Sequence, residues 1–243
     1  MPNPTAAMLV IGDEILSGRT RDSNLHFLAG QLTAHGIELK EARVVSDDRA
    51  AIVAAVRALS AAHDHVFTSG GIGPTHDDIT ADAIAEAFNV GIDLRDDAKA
   101  ILLAFLEGRG AEPTPARMRM ARIPDGAHLI DNPVSAAPGF TLQNVHVCAG
   151  VPRIFEAMVA DVLSRIDGAP PMLSQSFRVE RPEGEIAGPL GVLAKKHPDL
   201  SIGSYPFSQD GVFGANIVVR GRDGAAVSAA MVELGQLFPE ATR

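Results

Sequence analysis

The chain of 243 residues contains no tryptophan, one tyrosine and one cysteine. Aromatic platforms on which the bases of single-stranded nucleic acid could stack are therefore scarce. A single cysteine, Cys148, cannot form an internal disulfide, which fits a reducing cytosol. Because Cys148 ends the apolar run Val145–Cys148, we expect its thiol to be buried and unreactive.

Basic charge and long apolar runs are also lacking. Lys and Arg number 21 against 30 Asp and Glu, a net charge of -9. An acidic surface argues against nonspecific binding to nucleic acid or to anionic membranes. No run is long enough to span a bilayer, and no basic segment followed by a long apolar one opens the chain. These features predict a cytoplasmic, soluble protein that binds neither nucleic acid nor membrane.

The most informative stretch is the glycine-rich segment of residues 68–80, which contains Gly70, Gly71 and Gly73. It follows the apolar pair Val66 and Phe67 and precedes a helical pattern over residues 81–88. A strand that runs into a glycine loop and then a helix can hold a phosphate. Glycine allows close approach of the backbone, and the start of a helix presents N–H groups without partners.

Two adjacent carboxylates in this loop, Asp77 and Asp78, indicate a metal as well as a phosphate. Acid beside a phosphate site repels the ligand unless a cation lies between them, and oxygen ligands suit magnesium or manganese. His76 extends the choice to cobalt or zinc. The alternative is an ordinary α/β loop, in which Thr80 caps the helix and Asp82 favours its positive end.

Alternating strands and helices predict a parallel sheet covered by helices on both faces. Strands are expected at residues 6–11, 44–45 and 65–68. A helix is expected at residues 23–34, and another is capped by Asp47 or Asp48. Ligands bind such sheets at the carboxyl ends of the strands. The segments expected to meet at that edge begin at Gly12, Ser46 and Gly70; they include Asp13, Glu14, Asp47 and Gly71.

The second half of the first domain repeats the strand, glycine and helix order. A helix is expected at residues 96–107, a turn-rich loop at 131–139, a strand at 145–148 and a helix at 154–166. Gly150 lies between the last two, either as a second anion contact or as a simple helix start. The basic segment at residues 117–122, with Arg117, Arg119 and Arg122, is either a clamp for a distal phosphate or a solvated helix face.

After a linker at residues 168–171 the pattern changes to β-α-β-β-α. Strands are expected at 175–179, 201–206 and 215–220, and helices at 186–196 and 225–238. We therefore predict two domains, an α/β domain over residues 1–168 and a small α+β domain over 172–243. The second domain carries no cluster of titratable groups that suggests chemistry.

Four motifs together resemble the molybdopterin-binding (MoaB/Mog-type) domain family, over about residues 6–166. They are Gly12-Asp-Glu-Ile-Leu-Ser-Gly18, Asp22-Ser-Asn24, Val45-Ser-Asp47 and Gly70-Gly-Ile-Gly-Pro-Thr-His-Asp-Asp-Ile-Thr80. The similarity is greatest to CinA-type members and to the N-terminal domain of animal-type FAD synthase. Ile202-Gly-Ser-Tyr-Pro206 resembles FAD synthase too, which extends the likeness over most of the chain.

The resemblance implies a three-layer α/β/α domain with a mostly parallel sheet and a phosphate on the glycine loop. It also implies divalent-metal-dependent hydrolysis of a nucleotide pyrophosphate, such as ADP-ribose or FAD. By this resemblance Asp47 and Asp78 are expected catalytic residues. From the residues themselves, Asp77 and Asp78 are the expected metal ligands, and Glu14 is either a third catalytic residue that orients water or a polar residue at a strand end with no role. The residues expected to bind substrate are Gly12, Asp22, Asn24, Gly70, Gly71, Gly73, Thr75, Thr80, Pro138, Gly139 and Gly150.

The chain departs from the CinA pattern in two places: Ser135 stands where a glycine is usual, and residues 149–152 read Ala-Gly-Val-Pro. The deamidase domain of CinA and the synthetic domain of FAD synthase have no counterpart here, so we expect neither NMN deamidation nor FAD synthesis. The favoured function is a pyrophosphatase that uses magnesium, manganese or cobalt and forms a homo-oligomer. The alternatives are a non-catalytic module for a pterin or nucleotide and a molybdopterin adenylyltransferase.

Overall fold

Strands and helices alternate from the start of the chain in a computed structural model that describes residues 3–209 and 211–239. The order is β1 (Thr5–Ile11), α1 (Asp13–Leu16), α2 (Asn24–His35), β2 (Glu38–Val45), α3 (Arg49–Ala62), β3 (His65–Ser69), α4 (Thr80–Phe88), β4 (Ile92–Leu94) and α5 (Asp96–Glu107). Then come α6 (Pro115–Met118), a 3-10 turn (Arg119–Ala121), β5 (Arg122–Pro124), β6 (His128–Ile130), β7 (Gly139–Leu142), β8 (Val145–Cys148) and α7 (Pro152–Leu163).

Within the described residues, six of these strands form one sheet in the order β2-β1-β3-β8-β7-β6. The β1–β2, β1–β3 and β3–β8 pairs are parallel. The β7–β8 and β6–β7 pairs are antiparallel. β4 and β5 pair separately as a small antiparallel ribbon. The predicted mostly parallel sheet is confirmed, and its antiparallel end, around residues 128–142, was not predicted.

Helices cover both faces of this sheet because the side chains of each strand alternate between the faces. In β1, Ala7, Leu9 and Ile11 pack against α3, α4 and α5. The intervening residues, Met8 and Val10 among them, pack against α2 and α7 on the opposite face. The predicted three-layer α/β/α arrangement is therefore confirmed. Among the described residues, no helix is both long and apolar enough to cross a membrane.

The chain divides into two compact units, Met1–Ala169 and Pro170–Arg243. The second contains β9 (Leu173–Val179), α8 (Glu183–Lys196), β10 (Ser201–Gln209), β11 (Val212–Gly221) and α9 (Gly224–Leu237). Its antiparallel sheet has the order β10-β11-β9. Phe177, Ile217 and Leu234 belong to a separate apolar core, as the predicted β-α-β-β-α order requires.

Candidate functional site

The carboxyl ends of the parallel strands surround a cavity of about 540 Å³. Segments that follow β1, β2, β3 and β8 all contribute to its wall. The expected meeting of these segments at one edge of the sheet is confirmed, whereas the use of this cavity as the site and the roles of the individual residues remain predictions. The predicted residues that line the cavity are Gly12, Glu14, Asp47, Gly70, Gly71, Gly73, Asp77, Asp78 and Gly150.

The loop after β3 takes a path that only glycine follows without strain. Gly70 and Gly71 have φ angles of 109° and 70°. A Cβ on Gly70 would lie 2.2 Å from the carbonyl oxygen of Ile11, and a Cβ on Gly71 would lie 2.1 Å from Oγ1 of Thr80. Real contacts are never so short, so these two positions exclude any side chain. The loop therefore folds back closely over the ends of β1 and β3.

Thr80 holds this loop in place from the first turn of α4. Its side chain is fully buried. Its N–H donates to the Gly71 carbonyl at 3.0 Å, and its hydroxyl donates to the Gly70 carbonyl at 3.0 Å. The suggestion that Thr80 caps α4 is wrong, because Ile79 occupies the cap position and no side chain bonds there. Its hydroxyl donates to a loop carbonyl instead, so Thr80 holds the glycine loop of residues 70–73 against the start of α4.

Three consecutive N–H groups of the loop, those of Gly71, Ile72 and Gly73, have no hydrogen-bond partner among the described residues. All three residues line the cavity. Successive backbone N–H groups of this kind form an anion-binding concavity. The loop therefore has the N–H groups that a phosphate site needs, and phosphate binding by Gly71 and Gly73 stays a prediction.

The two carboxylates of the loop differ in their surroundings. Asp78 Oδ2 accepts from the N–H of Thr75 at 2.8 Å and from its hydroxyl at 2.6 Å, which closes the loop on itself. The Asp77 side chain is 62% exposed, with His76 3.9 Å away and itself 98% exposed. The Thr75 side chain also lies close enough to Asp77 to lower the pKa of that carboxyl by hydrogen bonding. Asp78 therefore shapes the loop, whereas Asp77 is the more exposed of the two carboxylates.

Asp47 lines the same cavity as this loop, among other carboxylates. Its Oδ2 accepts from the Asp13 N–H at 2.9 Å, which ties the ends of β1 and β2 together. Burial raises the pKa of Asp47 above its usual range, and the charges of Asp13, Glu14 and Asp77 raise it further. Asp48, the alternative helix cap, accepts from the Ala51 N–H and caps α3, which leaves Asp47 for the site.

The carboxylates fit a metal that is shared with a ligand. Within residues 3–209 and 211–239, no group of three or more His, Cys, Asp or Glu side chains is arranged to hold a metal ion alone. Magnesium is commonly held by one or two carboxylates together with phosphate oxygens and waters. Asp77 and Asp47, on one cavity with the free loop N–H groups, supply donors of the right chemistry for that arrangement.

The predicted residues Asp22 and Asn24 lie in a smaller cavity of about 70 Å³. This cavity shares Glu14 and Gly150 with the main one. Asp22 accepts from the N–H groups of Asn24 at 3.3 Å and Leu25 at 3.0 Å, so its carboxylate stabilises the first turn of α2. Both of its oxygens are therefore engaged in holding the helix.

The remaining predicted residues lie outside the main cavity. Pro138 lines a small pocket beside Gly73 and Arg119. Gly139 begins β7 and sits against the backbone, since a Cβ there would lie 2.4 Å from the Val147 carbonyl oxygen. Thr75 contributes to the site through its bonds to Asp78 and its effect on the pKa of Asp77, and Thr80 through the glycine carbonyls.

The basic segment is largely engaged by protein partners. Arg122 makes two hydrogen bonds with Asp82, at 2.7 and 2.8 Å. Arg117 donates to the Glu112 carbonyl. Arg119 donates to the Asp78 carbonyl at 3.3 Å and is the member that lies beside the glycine loop. Of the three predicted clamp residues, Arg119 is therefore the best placed to meet a phosphate.

The cavity also includes residues that the sequence reasoning missed. Asn132 organises the loop of residues 132–137: its Oδ1 accepts from the Val134 and Ser135 N–H groups, and its Nδ2 donates to Ser135 Oγ at 2.7 Å. Ser135 thus has a bonding partner at the position where a glycine is usual. The Asn-Pro pair was the signal for this turn. The cavity residues that were not predicted from sequence include Thr20, Ile72, Pro74, Met120, Asn132 and Ser135.

Comparison with known families identifies both parts of the chain. Residues 7–168 match the profile of a family described as a probable molybdopterin binding domain. The chain belongs to this family. Residues 171–243 match the profile described as FAD synthase, middle domain, so the motif at residues 202–206 falls within a second match. The resemblance predicted from the motifs is confirmed.

Individual relatives of this molybdopterin-binding-family chain include both FAD synthase-like and CinA-like proteins. A probable FAD synthase of Caenorhabditis elegans is 31% identical over 96% of this chain and 50% of its own length. A CinA-like protein of Myxococcus xanthus is 32% identical over 81% of this chain and 50% of its own length. The chain thus spans about half the length of these two relatives.

A solved structure also matches the family domain. CinA from Thermoplasma acidophilum, a protein of unknown function, is similar with a TM-score of 0.62 at 34% sequence identity. The match covers 68% of this chain and 98% of that one. The fold likeness therefore extends over the unit that contains the cavity.

Proposed function

We propose that this chain hydrolyses a nucleotide pyrophosphate, ADP-ribose or FAD, in the cavity at the carboxyl edge of the sheet, with a divalent metal. The observation that carries the proposal is that one cavity wall holds two complementary features. The N–H groups of Gly71, Ile72 and Gly73, which have no partner among the described residues, lie on it. Carboxylates that include Asp47 and Asp77 lie on the same wall.

The charge of the cavity explains the need for a metal. Four carboxylates line it, and no Lys, Arg or His does within the described residues; the four are Glu14, Asp47, Asp77 and Asp78. A pyrophosphate carries at least two negative charges, and in a partly closed site unlike charges attract and like charges repel more strongly than in water. A divalent ion, when bound, neutralises the phosphate charge that the loop N–H groups alone leave unbalanced.

Each residue then has a separate part in the reaction. The loop N–H groups hold the phosphate oxygens on which charge develops during attack by water. Asp77, whose side chain is 62% exposed on the cavity wall, is the best-placed metal ligand. Asp47 accepts the proton of the attacking water, and its raised pKa brings its basicity closer to neutral pH. Glu14 lies on the same wall and helps to orient that water.

The donor set favours the harder metals. Every titratable side chain of the cavity wall is a carboxylate, and carboxylate oxygens suit magnesium and manganese. His76, which had widened the choice to cobalt or zinc, is 98% exposed and absent from the wall. We therefore propose magnesium or manganese ahead of cobalt.

The test is release of AMP from ADP-ribose and from FAD by the purified chain, measured by chromatography with magnesium, manganese, cobalt or EDTA. The proposal expects AMP with a divalent metal and none in EDTA. An Asp77→Asn variant is the control for a contaminating hydrolase, because it should lose the activity and keep the fold. Binding of these nucleotides with no AMP under any metal would contradict hydrolysis and establish the non-catalytic binding module instead.

A further inference from the structure

The side chain of Asn24 joins two separate turns of the cavity. Asn24 is the first residue of α2 and is only 3% exposed. Its Nδ2 donates to the hydroxyl oxygen of Ser69 at 2.8 Å and to the carbonyl oxygen of Gly150 at 2.8 Å. These acceptors lie 45 and 126 residues away along the chain. One amide group therefore connects α2, the end of β3 and the turn after β8.

The two bonds also fix the orientation of the amide. A carbonyl oxygen such as that of Gly150 can only accept, so the atom facing it must be Nδ2. Oδ1 of Asn24 is then buried, and it has no partner among the described residues. A buried acceptor without a partner costs free energy. A purely stabilising role is thus a poor account of this side chain.

The turns that Asn24 joins are the ones that shape the phosphate cradle. Ser69 immediately precedes Gly70, whose N–H donates to the Cys148 carbonyl beside the second turn. Gly150 packs directly on Gly70, since a Cβ on Gly150 would lie 3.2 Å from the Gly70 Cα. A shift of either turn would therefore move the loop N–H groups that begin at Gly71.

We propose that Asn24 is a positioning residue that clamps together the turn at Ser69 and Gly70 and the turn at Gly150, rather than a residue that binds substrate. Asp22 supports it by fixing the first turn of α2 through its bonds to the Asn24 and Leu25 N–H groups. The purpose of the clamp rests on the proposed function, because the loop needs a fixed geometry only if its N–H groups bind phosphate. The clamp itself can be measured without any substrate.

The test compares Asn24→Asp with a matched control at the opposite edge of the same sheet. The Asp variant keeps the shape of the side chain and removes the donor that the Gly150 carbonyl needs, although the Ser69 hydroxyl can turn to donate to the new carboxylate. Asn144 is also an amide clamp: its Nδ2 donates to the carbonyls of Ser60 at 3.0 Å and His63 at 2.9 Å. Because it precedes β8, at the amino edge, Asn144→Asp removes a similar clamp far from the cavity.

Two measurements are made on the full chain. Hydrogen exchange of the backbone amides should become faster at residues 69–73 and 149–151 in Asn24→Asp and stay unchanged there in Asn144→Asp. The value of kcat/KM for AMP release should fall roughly 10- to 100-fold in Asn24→Asp, because small misplacements of reacting groups have effects of this size. It should stay within about twofold of wild type in Asn144→Asp.

The outcomes separate the clamp from the proposed function. Unchanged exchange at both turns in Asn24→Asp would overturn the clamp, and so would equal losses of activity in both variants. A wild-type chain that releases no AMP would overturn the proposed function, and the exchange measurement would still decide the clamp. Asn24→Ala gives the same comparison if the Asp variant fails to fold.

Discussion

Substitution of Gly71 by alanine tests the loop geometry most sharply, because the chain contains a matched control. Gly71 and Gly18 have nearly the same φ, 70° and 72°. A Cβ on Gly71 would lie 2.1 Å from Thr80 Oγ1, whereas a Cβ on Gly18 would meet nothing within 4 Å. The two variants therefore share the backbone cost and differ in the steric clash.

The expected magnitudes follow from these contacts. A left-handed φ costs alanine about 1–2 kcal/mol. Overpacking against a buried neighbour adds about 1–3 kcal/mol. Thr80 is fully buried and bonded to Gly70, so it has little room to yield. We expect Gly71→Ala to lower the free energy of unfolding by about 2–5 kcal/mol and Gly18→Ala by about 1–2 kcal/mol.

The assay is urea unfolding followed by far-UV circular dichroism, since the chain has no tryptophan to report by fluorescence. A double variant with Thr80→Ala removes the clashing atom, so the Gly71 penalty should shrink in that background. Gly71→Ala should also lose AMP release because the free N–H groups move. Equal stability of the Gly71 and Gly18 variants, with full activity in both, would refute the described loop path.

Three further predictions concern other parts of the chain. Asp77→Asn should abolish metal-dependent turnover and lower the free energy of unfolding by less than about 1 kcal/mol. Asp78→Asn should also loosen the loop at Thr75. Equal hydrogen exchange of the loop amides in the two variants would contradict these separate roles. Burial lowers the pKa of His146 from 6.5 to about 3, so below pH 6.5 the unfolded chain binds a proton that the folded chain does not. Stability should therefore fall by about 1.4 kcal/mol per pH unit below 6.5, and His146→Gln should flatten this dependence in denaturation curves at pH 7 and pH 5. A fragment ending at Asp167 should keep metal-dependent hydrolysis, and a folded fragment that binds substrate without turnover would place a catalytic group in the second unit.

The parts of the fold that could be predicted from sequence are those with a simple apolar signal. β1, β3 and β8 are buried on both faces, so each reads as a continuous apolar run. β2 was expected only at residues 44–45 because it lies at the sheet edge, where charged residues such as Glu41 and Arg43 interrupt the pattern. The short strands β6 and β7 carry too few residues to show a period.

The site was predictable to the extent that it consists of glycines and acids next to strand ends. Gly71, Asp47 and Asp77 reach one cavity because parallel strands bring their carboxyl ends together. The separate parts of Asp77 and Asp78, and the amide clamp of Asn24, depend on which atom bonds which. Contacts across 126 residues leave no local pattern to read.

The central claim is that a cavity lined by carboxylates holds a pyrophosphate only through a divalent ion. The most direct measurement is calorimetric titration of the chain with the non-hydrolysable analogue α,β-methylene-ADP, in magnesium and in EDTA. The account predicts binding in magnesium, no measurable binding in EDTA, and loss of the magnesium-dependent binding in Asp77→Asn. Equal affinity with and without magnesium would contradict it.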